Sequence, residues 1–346
     1  MDPTNGSSEI EKLKVQLQSS DLPANLRDKA VHQIERISLG LKYGNLTQLD
    51  ITSKYIDWIT NLPWNKKTED TLDIVKAKQI LDNNHFGLEK IKQRVLEYLS
   101  LLAVHKQKIP DTTFHAPSLF FIGLAGTGKT TFAKSIAESL SRKFVRIPFG
   151  GLSSANDLRG QSKISAEAEP GILIKALRRA GSKNPVILLD ELDRITPDSR
   201  AEIMGVLIEL LDPEQNMSYM DYFVDYPFDL SQVIFVATAN NTNNIATAVL
   251  DRLEVIQMPS YTDDEKIQIG KKFVFPKYLK ETGLTEENVK IDENLWAKLV
   301  RPLGFEPGIR SLERMIETMV RKAAYKIVKG EGNGFVISET NLREFV

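Results

Sequence analysis

The sequence predicts an α/β protein built on a parallel five-stranded sheet, preceded by a helical neck and followed by an α-helical lid. Three observations carry that expectation. The stretch "GLAGTGKTT", Gly123 to Thr131, directly follows the apolar run "SLFFI". Five short apolar runs, "SLFFIG", "FVRIPF", "VILLD", "VIFVATA" and "EVIQM", alternate with helix-length amphipathic segments, as in a parallel sheet covered on both faces. Before and after them the apolar spacing is helical only. The expected units are a helical neck at 1–62, an α/β nucleotide-binding unit at 63–259 and a helical lid with a short closing extension at 260–346.

Taken in order, "MDPTNGSS" reads as a short flexible lead, and Ile10, Leu13 and Leu17 then share one helical face. "DLPAN" breaks that helix. Leu26, Ala30, Ile34, Ile37 and Leu41 repeat at near-helical spacing until "YGN" stops them. Ile51, Tyr55, Ile59 and Leu62 mark a third helix ending at "LPW". From Leu72 a helical pattern resumes, breaks at "NNHFG" and continues through Leu88, Ile91, Val95, Leu99 and Leu102. The five strands follow, and each crossover between them should be right-handed. After Pro259 no further strand is expected. "TDDE", Thr262 to Glu265, reads as a capping box. A last long helix repeats Leu312, Met315, Ile316, Met319, Ala323 and Ile327.

Composition narrows the function classes. The 346 residues carry a formal charge of −1, which argues against a general grip on nucleic acid. There is no cysteine, hence no disulfide framework and no thiolate metal site. His32, His85, His105 and His115 show no ligand spacing. Neither a secretory signal nor a membrane-spanning run is visible, so the expected setting is cytoplasmic with no membrane partner.

The chemistry starts at the glycine-rich stretch. Gly123, Gly128, Lys129 and Thr130 satisfy G-x-x-x-x-G-K-[ST] between a strand and a helix. The backbone of Gly123, Leu124, Ala125, Gly126, Thr127 and Gly128 would cradle phosphates, helped by the helix start at Lys129, Thr130 and Thr131. Lys129 would neutralise the β- and γ-phosphates of ATP, and the Thr130 hydroxyl would ligate Mg²⁺. "VILLDELD" then places Asp190 and Glu191 at a strand end. Asp190 is the candidate Mg²⁺ ligand, and Glu191 the candidate base that polarises the attacking water. Alone, such a strand end is as often merely solvated; behind a phosphate loop the functional reading is favoured. Asn240, ending "VIFVATAN", either orients that water or caps the next helix.

The stretches "NPVILLDELDRI", "LLDPEQN", "VIFVATANNTNNI", "LDRLEVIQMPSYTDDEKI" and "GIRSLER" resemble the ATPase module of Lon proteases, within the AAA+ superfamily. The resemblance runs from about Ile10 to the end of the chain. It implies the fold of an AAA+ P-loop NTPase and a homo-oligomeric ring, usually a hexamer. It assigns Asn240 as the γ-phosphate sensor, Arg252 as the arginine finger reaching a neighbour's nucleotide, and Arg310 as the lid arginine. The bland alternatives are a surface pair of Arg252 with Asp251 or Glu254, and of Arg310 with Glu313 or Glu306. Phe86 in "HFG" either packs on the adenine or is a plain core aromatic.

Three departures from the family pattern matter. No Ser–Lys peptidase pair follows the lid, so peptidase activity is not expected from this chain alone. The family's large substrate-recognition domain is not expected ahead of the neck. Finally, Ser165, Ala166 and Glu167 occupy the place of the aromatic–aliphatic pair of the first pore loop, with Ile164 beside them; Tyr219 and Tyr222 are candidates for a second loop. The favoured expectation is an ATP-driven protein remodeller acting on unfolded or misfolded protein, with a separate peptidase as an optional partner. The alternatives are a nucleotide-switched scaffold, a nucleic-acid remodeller, which the charge balance disfavours, and a truncated part of an ATP-dependent protease.

Overall fold

The computed structural model describes residues 3–41, 46–109, 112, 114, 117–301 and 306–346. The expected stop at "YGN" and His115 lie outside them. Three helices open the chain: α1 (Pro3–Ser19), α2 (Ala24–Leu41) and α3 (Leu46–Thr60). The first begins at Pro3, so most of the expected flexible lead is helical; proline is at ease at a helix start, where its missing N–H is not needed. Ile10, Leu13, Leu17, Leu26, Ala30, Ile34 and Ile37 are buried as the spacing requires. In α3 the buried apolar set is Leu49, Tyr55, Ile56 and Ile59, while Ile51 is only half-buried.

Two helices, α4 (Ile74–Asn84) and α5 (Glu89–Lys108), lead into the sheet. Its strands are β1 (Ser118–Ile122), β2 (Phe144–Pro148), β3 (Val186–Asp190), β6 (Ile234–Ala239) and β7 (Leu253–Gln257), all parallel, in the order β2-β3-β6-β1-β7. A small antiparallel hairpin of β4 (Tyr219–Asp221) and β5 (Tyr226–Phe228) stands apart from it. Along β1, Phe120 and Ile122 join the core on one sheet face, and Leu119 and Phe121 join the other, the period of two that a strand imposes. The neck belongs to the first of these cores. Trp64 lies 4.9 Å from Phe228 and Tyr55 6.0 Å from Phe223, ring to ring. On the second face pack α4, α5 and α6 (Lys129–Ser139).

The strap Lys66–Thr71 crosses between neck and α4 and is tied at several points. Asp70 accepts from Arg142 Nε at 2.7 Å and from Nη2 at 2.8 Å, and also from Lys106. Burial alone would push the Asp70 carboxyl up, but Arg142 and Lys106 together hold it below its ordinary range.

The lid has its own core around Trp296, Ile316 and Met319. Among its helices are α7 (Asp263–Ile269), α8 (Phe275–Thr282) and α9 (Arg310–Val328). The Thr262–Glu265 capping box forms as expected. Contrary to expectation, strands do not end at Pro259. β8 (Val289–Ile291) and β9 (Phe335–Ile337) form a parallel pair, which draws the chain's closing segment onto the lid.

Candidate nucleotide site

The parallel register carries the ends of β1, β3 and β6 to one edge of the sheet, with Ile122 beside Ala239 and Leu189 beside Ala237. The phosphate loop, Asp190–Glu191 and Asn240 therefore emerge together, where ligands bind in open α/β sheets.

The loop's backbone needs its glycines. Gly126 and Gly128 hold φ of +82° and +91°, which residues with a Cβ rarely adopt. A Cβ on Gly123 would lie 2.6 Å from the Met258 carbonyl oxygen. Lys129 curls back over the loop: its ammonium donates to the Gly123 carbonyl, to Leu124 O at 2.9 Å and to Asn240 Oδ1 at 3.2 Å. Burial pulls the Lys129 ammonium below the usual lysine range, against the attraction of Asp193 and Asp190. A loop of backbone donors, one ammonium and a helix start suits a polyphosphate, and the carboxylate beside it suits a hard divalent cation.

Asp190 is buried. It accepts from Arg146 Nε at 2.5 Å and from the Thr238 hydroxyl. Glu191 sits in left-handed backbone at φ +60°, its N–H donated to Thr238 Oγ1 at 3.0 Å. That conformation is costly for a residue with a Cβ and points to a held geometry. The Glu191 carboxylate lies 3.4 Å from Arg194 Nη1. Asp193, in the next turn, accepts from Asn240 N at 3.1 Å and from Asn240 Nδ2 at 3.2 Å.

The lid touches the loop directly. Tyr261 donates its hydroxyl to Thr127 O at 3.2 Å, and Ile309 N donates to Gly126 O at 3.3 Å. Residues 119–261 match the family profile "ATPase family associated with various cellular activities (AAA)", and residues 280–335 match "Lon protease AAA+ ATPase lid domain". The relatives agree with both. The Lon protease of Heliobacterium modesticaldum is 42% identical over 339 residues, covering 98% of this chain and 41% of that protein. Lon protease 2 of Thermus thermophilus is 40% identical, over 99% of this chain and 43% of that protein. The Lon protease of Dictyoglomus thermophilum is 43% identical, over 93% and 40%. This is an AAA+ ATPase module homologous to the ATPase region of Lon proteases. The module spans about two fifths of the length of these relatives.

The remaining candidates fall in several places. Arg310 is exposed at the start of α9 and makes no ion pair among the described residues, with neither Glu313 nor Glu306. Its Cγ would lie 3.3 Å from a Cβ on Gly126, so it stands over the loop. Phe86 is half-buried against the lid core, with Lys272 Nζ 5.3 Å from its ring. Arg252 pairs with neither Asp251 nor Glu254. It donates to Asp212 Oδ2 at 2.9 Å and to Ala248 O at 2.9 Å, next to the first residue of β7 and thus at the opposite edge of the sheet from the loop. Ser165, Ala166 and Glu167 are exposed, and Ile164 is 86% exposed beside them. Tyr219 does not line a loop: it is fully buried, with its hydroxyl on Leu158 O at 2.8 Å. Tyr222 is exposed.

Sequence reasoning missed Arg146, Asp193, Asp212 and Thr238. A signal existed for two of them. Arg146 and Thr238 are polar residues inside otherwise apolar runs, and for Thr238, which is fully buried, an unpartnered hydroxyl would be costly. A cavity of about 580 Å³ opens elsewhere, around Asp70, Arg142 and Lys106, and is not the nucleotide site. Among the described residues no cluster of metal-ligating side chains occurs and no helix is long and apolar enough to cross a membrane.

Proposed function

We propose that this module hydrolyses ATP at the contact between neighbouring protomers of a homo-oligomeric ring, a hexamer by family resemblance, and uses the cycle to remodel protein chains in the cytoplasm. One observation carries the shared site. Arg252 stands at the start of β7 and the phosphate loop at the end of β1. A five-residue strand at about 3.3 Å per residue keeps them roughly 15 Å apart. If the guanidinium acts on a phosphate, that phosphate belongs to another copy.

The roles follow from the donor sets. Lys129 and the loop N–H groups bind the phosphates. Thr130 and Asp190 would hold Mg²⁺, which when bound neutralises charge on the phosphates. Glu191 takes a proton from the attacking water, and Asn240 orients that water. Arg252 stabilises the transferring phosphoryl group in trans. Arg310, standing over the loop, reports nucleotide state to the lid, and Phe86 borders the base. We assign no peptide-bond cleavage to these residues; a separate peptidase would supply it.

A second reading is favoured by a specific observation. Exposed Ser165, Ala166 and Glu167 and the burial of Tyr219 leave little aromatic grip for threading, which suits a nucleotide-switched scaffold. The test follows a tagged fluorescent protein and ATP turnover together, with wild type and Glu191→Gln. Remodelling predicts ATP-dependent loss of fluorescence and turnover stimulated by unfolded chain, both lost in Glu191→Gln while ATP still binds. Steady turnover indifferent to protein substrate favours the scaffold, and full turnover by Glu191→Gln removes the base assignment.

A further inference from the structure

Asn240 is held on two sides by groups of fixed hydrogen-bonding character. Both of its N–H edges, backbone and Nδ2, point at the single carboxylate of Asp193, at 3.1 and 3.2 Å. Its Oδ1 accepts from Lys129 Nζ. An ionised carboxylate only accepts and an ammonium only donates. Exchanging the amide oxygen and nitrogen would set like against like on both sides, so the orientation follows from chemistry alone. Asp193 is itself anchored. It sits buried in the 3₁₀ turn Leu192–Arg194 directly after Glu191, and its carbonyl accepts from Asn244 Nδ2 at 3.2 Å.

We propose that Asp193 is the positioning residue that fixes which edge of Asn240 faces the phosphates, so that Asn240 meets the attacking water with its carbonyl oxygen. This deepens the reading of Asn240 as the group that orients water and rests on it. An acceptor edge receives one O–H of the water, Glu191 receives the other, and both oxygen lone pairs stay free, one of them directed toward phosphorus. As the new P–O bond forms and the bridging P–O bond to ADP breaks, the proton passes to Glu191. A donor edge would instead engage one of those lone pairs and leave one O–H without its acceptor, making the water a poorer and less well oriented nucleophile.

The experiment is a double-mutant cycle on the full chain, with Asp193→Ala and Asn240→Ala alone and combined, reading kcat by ATP turnover and nucleotide affinity by a fluorescent ATP analogue. Misplacing an orienting group costs on the order of 10²-fold in rate. Asp193→Ala should lose about that in kcat with affinity changed less than about threefold, and should add nothing in the Asn240→Ala background, as expected for residues that act as a unit. Independent, multiplying losses overturn the proposal. So does a loss confined to affinity, which would make Asp193 a partner of Lys129 instead. Wild-type turnover by Asn240→Ala would remove the reading of Asn240 itself, and the proposal with it; wild-type turnover by Asp193→Ala alone removes only the proposal. If Asp193→Ala fails to fold, the near-isosteric Asp193→Asn takes its place in the same cycle with the same criteria.

Discussion

At the scale of single residues, His85 shows how burial sets a charge state beside the nucleotide site. Its ring stacks on Phe132 at 3.7 Å between centroids, and its Nε2 lies 3.0 Å from Ser135 Oγ. Burial, with the Lys92 ammonium adding to it, drops the imidazole from its ordinary 6.5 to about 4. The folded protein thus keeps His85 neutral where the unfolded chain takes up a proton. Stability from this group is fully present above about pH 6.5 and is lost as pH falls toward 4, on the order of 3 kcal/mol across that window. An NMR titration of the ring, assigned through His85→Gln, should give a midpoint near pH 4; a midpoint near 6.5 would show that the ring is hydrated. The phosphate loop, Asp190 and Glu191 were legible because their chemistry is local in sequence. Asp193 and Asp212 were not, because each acts on a residue roughly 40 or more positions away and only the register of β3 with β6, or the return of the chain to β7, brings them together.

At the scale of elements, the lid and the phosphate loop meet as a latch. Gly308 passes so close to the loop that a Cβ there would lie 2.6 Å from the Gly126 carbonyl carbon, closer than packed atoms tolerate. Gly308→Ala must therefore back the lid away, loosening the Tyr261–Thr127 and Ile309–Gly126 bonds. We expect nucleotide affinity to fall about tenfold, which is about 1.4 kcal/mol, with the fold intact by circular dichroism. Unchanged affinity would mean that the latch does not contribute to binding. The three inner strands β1, β3 and β6 could be read in advance because each is a continuous apolar run buried on both faces, and the edge strands β2 and β7, which expose part of theirs, because short apolar runs there alternate with helices. β8 and β9 could not. "VKI" and "FVI" are three residues long and flanked in sequence by polar residues, and they are specified by partners distant in the chain: Val289 pairs with Phe335, and Val289 and Ile337 are buried in the lid core.

At the scale of the whole molecule, the two halves of the proposed reaction centre lie on opposite edges of one sheet. The carboxylates and the loop occupy one edge. Arg252, braced by Asp212 and Ala248 and with a buried Nε that has no hydrogen-bond partner among the described residues, occupies the other. No motion within the sheet closes that gap, because β1 and β7 are locked in parallel register over five pairs. If Arg252 acts on a phosphate, assembly alone can close it, which would tie turnover to the contact between copies. The measurement that bears most directly on this claim is ATP turnover per protomer as the protein is diluted, with oligomeric state followed by light scattering in the same samples. The account predicts that turnover per protomer falls with the population of assembled species and is negligible in monomer. A monomer that hydrolyses ATP as fast as the assembly would contradict it.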